Sequence, residues 1–228
     1  MLKGNLYTKT YLNTIVSESA NIRKYNSIAK HIGGIYIPEI NTIDCKGHRV
    51  QFTNSWLNNE GSFDFKLINI SIEYWSLMFY NCSKLTHLPE DFTIPEGVID
   101  CSSMFNYCES LTHLPNNFTI PNSVKRCGHM FYNCSKLTHL PDNFTIPEGV
   151  INCHGMFSNC KSLTHLPENF TIPESVEDCI LMFCDCESLT HLPDNFHISY
   201  DAPHCAHMFE NCDKLENKDP EAYKMANI

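Results

Sequence analysis

The sequence predicts a repeat solenoid with short parallel β-strands on one side, irregular turns on its convex side and a helical cap at each end. The first observation behind this prediction is a 26-residue repeat headed by a Met-Phe pair. The second is that apolar positions within a repeat follow neither the helical nor the strand period. A unit this short cannot bury a core alone, so each coil must pack against its neighbours. The Met-Phe pairs begin at Met78, Met104, Met130, Met156, Met182 and Met208.

The third observation is a unique N-terminal segment, residues 1–60, that carries the signals of a cap. Ser17 can cap the N-terminus of a helix over about residues 17–32, and the glycine pair at 33–34 ends that helix. A short strand is expected at 35–37. The apolar stripe expected to face the core consists of Ile22, Tyr25, Ile28 and Ala29.

The repeats are expected to occupy residues 61–215, starting with a degenerate copy at 63–77 in which Ile68 takes a core position. The Leu-Thr-His-Leu segment of each repeat predicts a short strand, with its leucines inward and its threonine and histidine outward. Equivalent residues of successive strands should stack about 4.8 Å apart. Residues 216–228 are expected to form a C-terminal capping helix that starts near Asp219.

Charge is distributed unevenly along the chain, whose net charge is -10. Residues 1–60 hold 7 Lys and Arg against 4 Asp and Glu, a net of +3, and residues 61–228 hold 9 against 22, a net of -13. An acidic body disfavours direct nucleic-acid binding, which needs clustered Lys and Arg. It suits a protein partner with a basic surface. No stretch reaches 18 consecutive apolar residues, so no membrane span is predicted.

Two sequence phrases recur in register over about residues 63–215: C-x-x-L-T-x-L and a following V-x-x-x-x-x-M-F-x-x-C. These phrases resemble the 26-residue repeats of BspA-type leucine-rich repeat surface proteins. The resemblance implies a leucine-rich-repeat-like solenoid that is used for protein binding or adhesion. The chain differs from that family in its Pro-rich L-P-x-x-F-T-I-P segment and in a second column of cysteines.

Eleven of the thirteen cysteines fall into two columns, and Cys45 and Cys184 stand outside both. Neighbours in one column share a direction, so their thiols are predicted to lie parallel, which is poor geometry for a disulfide. We therefore expect reduced cysteines that act as small buried apolar residues, with no metal site and no cofactor. The alternative is a metal-binding or redox protein that uses the cysteine and histidine columns. The columns are Cys82, Cys108, Cys134, Cys160, Cys186 and Cys212, and Cys101, Cys127, Cys153, Cys179 and Cys205.

A threonine followed by a histidine recurs at the same place in five repeats. On the concave side of a solenoid these side chains would form a stripe of five imidazoles beside five hydroxyls. The pattern predicts that this stripe contacts a partner, and the alternative is that copied repeats simply copy their side chains. The candidate partner-binding residues, called the Thr-His stripe below, are Thr86, His87, Thr112, His113, Thr138, His139, Thr164, His165, Thr190 and His191.

The sequence carries no catalytic motif, and its Asp, Glu, His and Cys follow the repeat. A catalytic site needs unlike residues gathered at one place, so we expect no catalytic residue and no enzyme activity. The predicted function is a non-enzymatic protein-binding module, acting as an intracellular effector or inhibitor or as a surface adhesin. The first residues lack the apolar region of a secretory signal, so the expected location is the cytoplasm. A delivered effector or a surface-exposed protein would require that a leader had been removed.

Overall fold

The chain divides into two compact units, and the computed structural model describes residues 20–38, 41–47, 49–71, 75–196, 198 and 205–216. The first unit comprises Met1–Val50 with Phe65–Ser71, and the second comprises Gln51–Asp64 with Ile72–Ile228. The sequence predicted one boundary, after residue 60. The division differs from that prediction because the chain returns to the first unit for one short strand. The second unit contains the repeats and is called the repeat stack below.

Among the residues of the first unit that the structure describes, one helix accompanies a three-stranded sheet. Helix α1 covers residues 20–31 of the described chain. Strands β1 (Ile35–Ile37), β2 (Thr42–Asp44) and β3 (Lys66–Ile68) lie in the order β1-β2-β3. The β1 and β2 strands are antiparallel, whereas β2 and β3 are parallel, as a strand supplied by a distant part of the chain allows.

The core of the first unit forms around Tyr25, which is buried together with Ile28 and Ala29. The Tyr25 ring lies 5.3 Å from that of Tyr36 and 5.1 Å from that of Phe65, measured between centroids. These three predicted core positions of the helix are confirmed.

Ile22 was also expected in the apolar stripe of the helix, but its side chain is 39% exposed. The helix ends as predicted at the glycine pair, where the Gly34 amide donates to the Ala29 carbonyl at 2.8 Å and Gly33 has φ 76°. Two predictions lie outside the described residues: the N-cap at Ser17 and, beyond Glu216, the C-terminal capping helix predicted over 216–228.

Each repeat in the stack is a series of tight turns. In the repeat that starts at Phe79, the Cys82 amide donates to the Phe79 carbonyl at 3.0 Å, and the Leu85 amide donates to the Cys82 carbonyl at 2.9 Å. In the second half of this repeat the Phe92 amide donates to the carbonyl of Pro89 at 2.9 Å. The fixed φ of proline favours such turns.

Two positions in each repeat adopt the left-handed backbone conformation: the residue before Met and the residue before Cys. Asparagine often fills the second position because it reaches this conformation more readily than other non-glycine residues. The φ angles there are 60° at Asn81, 60° at Tyr107, 57° at Asn133, 61° at Asn159, 60° at Asp185 and 59° at Asn211.

Parallel backbone pairing between successive repeats runs along the Cys-x-x-Met-Phe segment. The amides of Cys101, Ser103 and Phe105 donate to carbonyls 25 residues further along the chain, at 2.8–2.9 Å. The spacing of two residues between donors is that of a parallel ladder. The left-handed residue before each Met interrupts the extended backbone. The described repeats are therefore paired through isolated β-bridges and not through longer strands.

The Leu-Thr-His-Leu segment was the predicted strand, and this prediction is wrong for the described repeats. Each such segment gives one backbone hydrogen bond to its neighbour, such as that from the Thr138 amide to the Thr112 carbonyl at 3.1 Å. A single bridge joins His165 to His191. The turn before each segment and the proline after it leave too few residues for a regular ladder.

Stacked aromatic rings run through the core of the repeats. Neighbouring phenylalanines of the Met-Phe pairs lie 5.2–5.6 Å apart between centroids, and their planes are within 9° of parallel. A second phenylalanine column repeats at 6.4–6.5 Å. The predicted leucine column is fully buried, which confirms that part of the core: Leu85, Leu111, Leu137, Leu163 and Leu189.

The stack begins earlier than the sequence indicated. Phe52 occupies the place of the first Met-Phe phenylalanine, since its ring lies 4.5 Å from that of Phe79 and its amide donates to the Met78 carbonyl at 2.7 Å. A 3-10 helix, Asn54–Trp56, follows in this leading copy. Ile68, expected in the core of that copy, lies instead in β3 of the first unit and is 40% exposed.

Candidate functional site

The threonines of the Thr-His stripe hold successive repeats in register. Besides its amide bond, the Thr138 hydroxyl donates to the Thr112 carbonyl at 3.2 Å. The hydroxyls of Thr112, Thr164 and Thr190 make the equivalent bond at 3.1–3.2 Å. Each hydroxyl hydrogen is therefore used inside the stack.

The stripe begins differently at Thr86, because the copy before it is degenerate. The Thr86 hydroxyl donates to the Glu60 carbonyl at 2.7 Å, and its amide donates to the Gly61 carbonyl, also at 2.7 Å. A Cβ placed on Gly61 would stand 2.7 Å from the methyl carbon of Thr86, and Gly61 has φ 79°. Glycine is required here both by this close approach and by the backbone conformation.

Hydrogen bonding to threonine sets the tautomer of the stripe histidines. The Nδ1 atoms of His87, His113, His139 and His165 each lie 2.8–2.9 Å from the Oγ1 of the threonine before them. That oxygen has already donated its one hydrogen to a carbonyl, so it accepts from Nδ1–H. Nε2 is then the ring nitrogen of the neutral histidine that can accept a hydrogen bond from a partner.

Exposure increases along the stripe. His87 and His113 are half-buried, and their rings stack at 5.9 Å with planes 4° apart. His139, His165 and His191 are exposed. The Nε2 atom of His191 lies 3.4 Å from Oε2 of Glu216, but both side chains are mostly exposed, so this pair contributes little to stability.

The side chains of the cysteine columns lie in the core of the repeats. All thirteen cysteines are buried, as predicted for small apolar side chains. The Cys134 Sγ donates to the Phe105 carbonyl at 3.2 Å, and the same bond recurs along its column. Desolvation raises the pKa of Cys82 and Cys101 to about 12, so these thiols stay protonated at neutral pH.

The histidine and cysteine columns do not gather metal ligands. Within the described ranges no group of three or more His, Cys, Asp or Glu side chains could hold a metal ion. One thiol pair departs from the parallel orientation expected along a column, because the sulfurs of Cys179 and Cys205 lie 2.6 Å apart.

A family model matches residues 51–170 and 121–223, which together cover most of the chain. The chain belongs to the DUF285 family, described as a Mycoplasma protein of unknown function. The match starts at Gln51, the residue at which the repeat stack of this DUF285 protein begins.

The DUF285 protein is also similar to a leucine-rich repeat protein from T. pallidum whose crystal structure is known. The two chains are 15% identical, the likeness covers 86% of this chain and 92% of that one, and the TM-score is 0.47. A search of the curated proteins finds no match. In the part of the chain that the structure describes, no helix has the length and apolar character needed to cross a membrane.

Sequence reasoning missed a second polar cluster in the DUF285 repeats. His154 Nδ1 lies 3.3 Å from Oδ1 of Asp178, and the Asn152 side-chain amide donates to Oδ2 of the same carboxylate at 3.1 Å. The His129 ring lies 5.0 Å from that of His154, and its buried Nδ1 has no hydrogen-bond partner. Burial first, and then the neighbouring His154, lower the pKa of His129.

The repeat pattern could not have revealed this cluster, because its members are residues that differ from one repeat to the next. The repeat positions of His129 and His154 hold other residues elsewhere in the stack, such as Ser103 and Gly128. Departures from the repeat were the available signal, and only the three-dimensional stacking shows which of them meet.

Proposed function

We propose that this chain is a non-enzymatic protein-binding module whose Thr-His stripe contacts a protein partner. The observation that carries the proposal is a contact repeated along the stripe: in four histidines Nδ1 lies 2.8–2.9 Å from a threonine hydroxyl oxygen, which leaves Nε2 for an external donor. Ring orientations fixed before binding reduce the entropy that a partner must overcome.

Charge supports a partner with a basic surface. The residues from 61 onwards carry a net charge of -13, so long-range attraction would accelerate association with a basic protein and repel nucleic acid. The affinity should then fall as salt is raised from 50 to 500 mM, because the exposed charges become screened. Affinity that does not change over this range would exclude a basic partner while leaving the stripe itself untested.

The finer family assignment is part of the same proposal. The Leu-Thr and Met-Phe phrases resemble BspA-type leucine-rich repeats, whose surface location would make this module an adhesin. An intracellular effector or inhibitor would use the same stripe without export. Antibody labelling of intact and permeabilised cells separates the two: labelling of intact cells supports the adhesin, and labelling only after permeabilisation supports the intracellular protein.

The wild-type protein is first used to capture partners from the cells that make it. Each purified candidate partner is then titrated by calorimetry against the wild type and against a triple variant of the stripe, H113A/H139A/H165A. We expect the variant to lose at least tenfold in affinity, since three central side chains are removed.

A second triple variant, T93A/T119A/T145A, is the matched control. These three threonines are exposed and recur every 26 residues, but they lie outside the stripe. The control should bind as tightly as the wild type. Equal affinities for both variants, with unchanged circular dichroism, would reject the Thr-His stripe as the interface.

A further inference from the structure

Two thiols meet near the C-terminal end of the described repeats. The sulfur atoms of Cys179 and Cys205 lie 2.6 Å apart, a distance nearer to the roughly 2.05 Å of a disulfide bond than to the separation of unbonded atoms. Both residues are buried, with 1% and 7% of their surface exposed. They hold the same position in successive repeats.

The backbone around this pair has the spacing that a disulfide needs. The Leu181 amide donates to the Ala206 carbonyl at 3.0 Å, and the Phe183 amide donates to the Met208 carbonyl at 2.9 Å. Backbones paired in this way lie about 5 Å apart, within the range of Cα separations found across disulfides. Backbone spacing therefore does not prevent the two residues from being joined, and the 2.6 Å separation of their sulfur atoms shows that these two side chains point towards each other.

The pair is unusual within its own column. In the described part of the chain, Cys101, Cys127 and Cys153 are stacked in the same way but make no hydrogen bond through sulfur, whereas Cys179 and Cys205 do. The sequence that leads to Cys205 also differs from that of the earlier repeats. Ala202 stands where the preceding repeat has Val176, and Ser199 stands where it has a proline.

We propose that Cys179 and Cys205 form a redox-active dithiol site that a low-molecular-weight disulfide, such as glutathione disulfide, oxidises to an intramolecular disulfide. The inference is independent of the proposed binding function. It assigns to one position in the cysteine columns a chemistry that the remaining buried thiols do not share.

The oxidation proceeds by two thiol-disulfide exchanges. The Cys205 thiolate attacks one sulfur of glutathione disulfide, forms a mixed disulfide and releases one glutathione thiolate, which takes up the Cys205 proton. The Cys179 sulfur then attacks the Cys205 sulfur of the mixed disulfide and releases the second glutathione. In total two protein thiols lose two electrons and two protons, and one glutathione disulfide becomes two glutathione molecules.

Hydrogen bonding between the two sulfurs supports this order of attack. The Cys179 thiol stabilises the thiolate of Cys205 and so lowers the pKa of Cys205, while the same hydrogen bond raises the pKa of Cys179. In the other column Cys108 and Cys134 lack such a short contact between sulfurs, and burial raises the pKa of both thiols. Cys205 is also the more exposed residue of the two, at 7% against 1%, so the first attack is placed there.

The test is to incubate the full chain with glutathione disulfide, block remaining thiols with iodoacetamide and map non-reduced peptides by mass spectrometry. We expect one cross-linked peptide pair, containing Cys179 and Cys205, with eleven alkylated cysteines once the protein is unfolded. The oxidised chain should also unfold roughly 5–10 °C higher than the reduced chain, because the bond closes a loop of 26 residues.

C205S is the informative variant and C153S is its matched control from the same column. The control should still form the cross-link, whereas C205S should form none and show no thermal shift on oxidation. A map of the wild type that shows no cross-link, a different pair, or only a stable mixed disulfide with glutathione would overturn the proposal. That map does not depend on either variant folding.

Discussion

The His129 ring occupies the space that a side chain on Gly155 would need: a Cβ on Gly155 would stand 2.6 Å from His129 Nδ1. Both residues fill the position before Met in successive repeats, and both have left-handed backbones, with φ 55° and 56°. The His129 ring can therefore occupy this position only because residue 155 is glycine and has no side chain.

Gly155→Ala should destabilise the protein by about 2–3 kcal/mol, because the new methyl group clashes with the ring and a left-handed alanine costs about 1–2 kcal/mol by itself. The free energy of unfolding in urea measures the loss. In the H129A background the clash is absent, so the cost of the same substitution should fall to about 1–2 kcal/mol. An identical cost in both backgrounds would mean that the ring and the methyl group do not interact.

The protein should become less stable as the pH falls below about 6.5, because the folded state resists protonation of His129. Burial and the nearby His154 lower the pKa of His129 from its ordinary value of 6.5, while a hydrogen bond to the Gly155 backbone and the charge of Asp178 oppose the shift. In acid the unfolded chain binds a proton that the folded chain resists, so stability present above pH 6.5 is lost as the pH falls towards the folded-state pKa. Urea unfolding at intervals from pH 8 to 5 measures this slope.

H129N is the control for the pH effect, because asparagine does not titrate and accepts a left-handed backbone. The difference in unfolding free energy between wild type and H129N should be constant above pH 7.5 and should change between pH 7 and 5.5. A difference that stays constant over the whole range would show that His129 does not contribute to the acid sensitivity.

Asn159→Ala should cost about 1 kcal/mol, since the residue before Cys has φ 61° and alanine is strained there. Asn159→Gly should cost less than the alanine variant, because glycine adopts this conformation without strain. Asn143→Ala is the matched control: Asn143 is exposed and its φ is not positive. Thermal unfolding of the three variants gives the order, and equal losses for N159A and N159G would contradict the backbone explanation.

Phe144→Ala should destabilise the stack by about 3–5 kcal/mol, because the ring is fully buried and stacks on Phe118 and Phe170 at 6.4 Å. Phe92 belongs to the same column but is half-buried, so Phe92→Ala should cost less. Unfolding free energies of the two variants test whether burial or column membership sets the cost. A larger loss for F92A would reject burial as the cause.

The interior of the repeats could be predicted from sequence because each repeat packs against neighbours of nearly the same sequence. A residue such as Leu137 must meet Leu111 and Leu163 if the coils stack, whatever their local structure. The location of backbone pairing could not be predicted, because it depends on the left-handed residues around each Met-Phe pair. No residue type reliably marks those positions, which hold Ser103, His129 and Gly155 in three successive repeats.

The candidate surface was predictable only as a column of identical residues. Sequence spacing places five histidines together but cannot show that Thr112 supplies a hydrogen bond to His113, which needs side-chain geometry. The approach of Cys205 to Cys179 was missed because equal spacing in the sequence implies equal separation of the thiols along the column.

Successive repeats are joined by the same set of amide-to-carbonyl bonds, 25 or 26 residues apart. A whole repeat copied into or lost from the middle of the gene would present the same donors and acceptors to the coils on either side. Gain or loss of a whole repeat would therefore change the length of such a protein, and the number of imidazoles it displays, while the hydrogen bonds between coils stay the same. This architecture therefore allows the number of displayed binding groups to vary while the packing of each repeat is kept.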